Sequence, residues 1–199
     1  MPGVAPTGKP LRGIWRAEVV GDHVIALAWS PNGKMLAAAS ISGPVFILDG
    51  KTGIVLHELS GHGFGTTALS WNPSSTLLAS AGQDGHARLW DAISGTEVAA
   101  LRAGSSWVEC IAFSPTTDVV ITGAGKKLCA WNTNGELLRQ YTDFSSTIAD
   151  VKWSQKGDTV AIAHYGGTSL YAPYTAEAPR KFEWQGSTLK LAWSPDGKY

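Results

Sequence analysis

His62, Ser80 and Asp84 are the residue types of a hydrolase triad, gathered within one short stretch. Triads are recognised by the geometry of their members and not by their order along the chain, so the set needs a test. No G-x-S-x-G turn accompanies Ser80, and nothing else in the chain marks a nucleophile perched on a sharp strand-to-helix turn. Asp22, His23, Glu109 and Asp143 are the remaining candidates for acid or base work, too sparse to name a reaction. The other histidines, His57, His86 and His164, have neither the i, i+4 helical spacing nor a C-x-x-C partner that a metal site would require. The glycine-rich stretches ITGAGKK and HYGGTS lead into strands, whereas phosphate-binding loops lead into helices. The chemistry points to no catalytic constellation, metal or cofactor.

The elements that position these residues recur. ALAWSPNG around Trp29, ALSWNPSS around Trp71, IAFSPTTD around Phe113, VKWSQKGD around Trp153 and LAWSPDGK around Trp193 follow one another at intervals of 42, 42, 40 and 40 residues. A period near 40 is the mark of a repeat architecture. Within the second repeat, TTALSW, TLLASA, HARLWD and TEVAAL are short apolar runs divided at NPSS, GQDG and AISG. Four such runs read as a four-stranded antiparallel meander. One sheet of this kind leaves two apolar faces uncovered, so successive repeats must stack, and radial stacking of four-stranded sheets makes a β-propeller.

The second repeat also resembles the WD-repeat family: Gly61–His62 is followed by SAGQDG and by Trp90–Asp91. The resemblance implies that His62, Ser80, Asp84 and Trp90 form a hydrogen-bonded structural tetrad, which replaces the triad reading. The other repeats depart from that pattern. Ser42 stands for the turn Asp and LDG for WD in the first; the third keeps Trp131 but has Asn132 after it; Tyr171 takes the Trp position in the fourth.

The fold expected is therefore all-β: a propeller with blades near 23–59, 66–101, 107–142 and 147–184, preceded by a flexible segment at 1–12. A closing outer strand is expected at 13–20, and the start of a further blade at 187–199, so the ring should be incomplete. The resemblance places partner binding on the face formed by the loops leading into each blade. Counting from the anchors puts His23, Ile25, Gly65, Thr67, Trp107, Glu109, Thr147 and Ser187 there, joined by Ile41 and Gln83. Phe64, Phe144 and Trp184 would extend an apolar rim.

Sixteen basic residues balance sixteen acidic ones, which leaves no overall field to attract nucleic acid or an anionic membrane. No apolar run approaches a membrane span, and Cys110 and Cys129 suit a reducing compartment. The expectation is a cytoplasmic, non-catalytic scaffold for a protein or peptide, monomeric when its ring is complete. The alternative is a propeller enzyme or ligand-binding protein with its site at the central channel.

Overall fold

The computed structural model describes residues 13–197 except 19, 143, 174, 176 and 177. The segment expected to be flexible at 1–12, together with Asp143 and residues 198–199, lies outside them. The first sheet holds β1 (Val24–Trp29), β2 (Met35–Ser40), β3 (Val45–Asp49) and β4 (Val55–Leu59). The second holds β5 (Thr66–Trp71), β6 (Leu77–Gly82), β7 (His86–Asp91) and β8 (Glu97–Arg102), and the third β9 (Val108–Phe113), β10 (Val120–Ala124), β11 (Lys127–Trp131) and β12 (Leu137–Tyr141). In each, chain neighbours pair antiparallel in sequence order. The third-to-fourth strand turns show why these residues stop a strand. Asp91 Oδ1 accepts the backbone N–H groups of Ile93 and Ser94, and Asp49 Oδ1 those of Lys51 and Thr52. LDG thus builds the same turn as WD, and each turn closes on a glycine at φ +72, Gly53 or Gly95.

The fourth sheet contains β13 (Ile148–Trp153), β14 (Val160–Tyr171) and β15 (Arg180–Ser187). β14 pairs with β13 through its first half and with β15 through its second. Between the halves, Gly166 and Gly167 have φ of +93 and +137. Five extended residues would span roughly 16 Å, yet His164 Nε2 and Ser169 Oγ lie 2.9 Å apart. The chain therefore reverses at the two glycines, and this sheet too is a four-run meander.

The core lies between sheets. Ile47 and Val45 of the first meet Leu78 and Trp90 of the second; Leu89 and Leu101 meet Val108 and Phe113; Ile121 and Leu128 meet Ile148 and Ile162. Burial of one such side chain contributes about 1.5–3 kcal/mol. The recurring anchor clasps the stack. The Trp71 indole donates to Ala28 O at 2.9 Å, Trp153 to Ala112 O at 3.1 Å and Trp193 to Lys152 O at 3.2 Å, in each case the residue before the preceding anchor. Phe113 has no such donor, and here the backbone N–H of Phe113 goes to Ser70 Oγ instead.

The arc does not close. Leu27 and Trp29, on the first sheet, are 64% and 53% exposed, while the anchors Trp71, Phe113 and Trp153 are buried. The closing strand expected at 13–20 is not a strand over its described residues. Among the described residues no strand completes a ladder with it, and it lies against the first sheet: the Trp15 indole donates to Gly50 O, and Ala17 and Val20 pack near Phe46 and Leu48. The described part of 188–199 is likewise not a strand, although Trp193 still makes its clasp.

Candidate functional site

In the second sheet the loop residue His62 is brought over β6 and β7. Its Nδ1 lies 3.2 Å from Asp84 Oδ1 and its Nε2 2.8 Å from Ser80 Oγ, to which the Trp90 indole also donates at 2.8 Å. A carboxylate only accepts, so Nδ1 carries the hydrogen and Nε2 takes the Ser80 hydroxyl proton. The donors run in one direction: Trp90 to Ser80 to His62 to Asp84. Burial pushes the His62 pKa down against the pull of Asp84, keeping the ring neutral. Burial pushes the Asp84 carboxyl up, but hydrogen bonds from His86 and the influence of His62 more than offset it and hold it below the usual range. A Cβ on Gly82 would stand 2.1 Å from His62 Nδ1, so only glycine fits there.

This is the connectivity of a triad without its access. Ser80 is fully buried and its oxygen already receives an indole N–H. Sequence reasoning missed Arg88, which reaches Asp84 Oδ2 at 3.4 Å and Glu97 Oε2 at 2.9 Å.

Strand register shows how the other sheets solve the same problem. Ser40, at the position of Gly82, donates to Asp22 Oδ1 at 2.7 Å, and its Oγ lies 2.7 Å from the Ser42 hydroxyl oxygen. In the third sheet only the Trp131 indole to Thr122 Oγ1 bond remains, at 2.9 Å. In the fourth, Phe144 lies four residues before β13, as His62 lies four before β5, and His164 stands where Gly82 does. The Phe144 ring meets those of His164 and Tyr171, with centroids 5.8 and 5.5 Å apart. No sequence motif announced His164; its one signal is a histidine at the end of a second strand whose lead-in loop lacks one.

The residues expected on the lead-in face are placed unequally. His23, Ile25, Ile41, Trp107, Thr147 and Ser187 are exposed, Trp107 by 53%. Gln83 and Glu109 are half-buried, and desolvation raises the Glu109 pKa. Gly65 is buried, and a Cβ there would stand 2.6 Å from Ile41 O. The half-buried Thr67 spends its hydroxyl on Ala81 O and Val108 O, across two sheets. Of the expected rim, Phe64 and Trp184 are exposed by 66% and 50%, but Phe144 is buried because it fills the His62 position. Tyr165, 61% exposed at the reversal of the fourth sheet, was not foreseen.

Elsewhere the titratable groups stay apart. Among the described residues no three His, Cys, Asp or Glu side chains come together as a metal site. Cys110 and Cys129 are buried in different inter-sheet cores, and burial pushes their thiols up to about 12 and about 11. Neither is a ready nucleophile.

Comparison with known proteins agrees with this geometry. A family model described as "WD domain, G-beta repeat" matches residues 53–91 and 95–132, and one described as "Anaphase-promoting complex subunit 4 WD40 domain" matches 11–64. WD repeat-containing protein VIP3 of Arabidopsis thaliana is 46% identical over 39 residues, which is 20% of this chain and 12% of that protein. A chain in the crystal structure of the mitotic checkpoint complex superposes with a TM-score of 0.77 at 24% identity, over 88% of this chain and 56% of its own length. The chain thus spans about half of that structural relative, which shows the fold.

Proposed function

Because this chain belongs to the WD-repeat family of β-propellers, we propose that it is a non-catalytic scaffold that holds a protein or peptide partner against its lead-in loops. One observation carries the reading. Ile41, Phe64, Trp107 and Tyr165, from four different sheets' loops and turns, expose large apolar side chains at the same end of the arc. Monomeric surfaces rarely gather apolar area without use, and a half-exposed Trp has the amphipathic ring of an interface hot spot. The tetrad supports this role by fixing the loop that carries Phe64 to the sheet below. The family is generally one of interaction scaffolds, and the assembly in which the structural relative was crystallised is a complex of proteins.

Hydrogen exchange of the chain with and without a captured partner tests the face. Slower exchange is expected at residues 62–65, 104–108 and 145–147. Protection confined to the opposite turns, near 31–34 and 73–76, would contradict the assignment.

A further inference from the structure

In the second sheet Arg88 stands two residues before Trp90 and fills the space beneath the lead-in loop. Gly61 lies so near that a Cβ on it would be 2.9 Å from Arg88 Cδ, and the guanidinium ends on Asp84 and Glu97. The fourth sheet replaces every part of this arrangement. Ser169 stands two residues before Tyr171, and it pairs with Lys181 of the outer strand as Arg88 pairs with Ala100. The turn that supplies Asp84 is here the Gly166–Gly167 reversal, without a carboxylate. The volume stays open as a cleft of about 480 Å³, lined by Phe144, Tyr171 and Trp184, with buried Ser169 at its floor and exposed Glu183 and Lys181 at its rim.

We propose that this cleft receives an arginine side chain of a partner polypeptide, in the place that Arg88 fills within the second sheet. A guanidinium is planar, donor-only and weakly hydrated, and it stacks on aromatic faces. The lining matches it. His164 Nδ1 lies 2.8 Å from Tyr165 O and so carries the hydrogen, which leaves Nε2 to take the Ser169 hydroxyl proton at 2.9 Å. Ser169 Oγ therefore offers lone pairs, not a proton, to a guest. Glu183 adds a carboxylate, and Trp184 an aromatic wall at the mouth. Lys181 is the opposing charge; it works against the guest from a solvent-exposed position.

The inference rests on the scaffold reading for the source of the guest, so every variant below keeps Trp107 and the two ideas fail separately. The full chain is titrated by calorimetry with acetyl-Gly-Arg-Gly-amide, its citrulline counterpart and free L-arginine. Saturable binding of the arginine peptide is expected, with the citrulline peptide at least ten-fold weaker. Ser169→Arg should abolish binding by filling the cleft from within. Trp184→Ala and Glu183→Gln should each weaken it several-fold, and Lys181→Met should tighten it. If Ser169→Arg does not fold, the exposed Trp184→Ala decides. No saturation, equal binding of the citrulline peptide, or unchanged affinity in Trp184→Ala would overturn the proposal. Free L-arginine binding as tightly as the peptide would overturn the polypeptide source.

Discussion

At the scale of residues, the second sheet keeps a neutral histidine by balancing burial against a carboxylate. Removing it leaves the buried Ser80 hydroxyl hydrogen without its acceptor and takes one of several donors from Asp84. His62→Ala should therefore destabilise the chain by roughly 1–3 kcal/mol, the cost of unpaired buried polar groups, measured as a shift in urea midpoint. The pH dependence has a definite sign. The folded His62 pKa lies below its ordinary 6.5, so below pH 6.5 the unfolded chain binds more protons than the folded one. This contribution is whole above pH 6.5 and is lost as pH falls from there toward the folded value. Melting between pH 7.5 and 5.5 should show a steeper loss in the natural chain than in His62→Ala; equal slopes would assign the dependence elsewhere. The tetrad was legible in the sequence because a motif carries it. Arg88 and His164 were not, because each acts at a register position that only strand pairing reveals.

At the scale of elements, the anchor that marks the repeat is also the bond between repeats. An indole N–H passes to the carbonyl before the preceding anchor at Trp71, Trp153 and Trp193. Trp153→Phe should keep the packing, since Phe113 occupies the same place in the third sheet, and lose the bond to Ala112 O. A cost of about 1 kcal/mol is expected in denaturant unfolding. A cost near 4 kcal/mol would mean that packing, not the bond, holds the step. Alternation and turn residues were enough to read the strands of the first three sheets. The described residues of 13–20 and 188–197 are not strands, since alternation records which face is apolar, whereas a strand exists only where a neighbour supplies its hydrogen bonds. The reversal at Gly166–Gly167 was divided correctly in the sequence, since two adjacent glycines permit the positive φ that it needs.

At the scale of the whole molecule, four stacked sheets make an arc whose lead-in loops share one end. The period of the anchors sets the spacing of those loops, and the inter-sheet cores hold them at fixed angles. Exposed apolar side chains on a rigid frame lose little freedom on binding. Trp107 gathers this account in one residue: half-exposed, on the loop before β9, and outside the polar networks that hold the sheets. Its removal should leave stability within about 0.5 kcal/mol, as for surface substitutions generally. The most direct measurement is quantitative capture of proteins by the natural chain and by Trp107→Ala of equal melting temperature. At least a ten-fold loss of the captured partner in the variant is predicted; equal capture by both would contradict the assignment of this face.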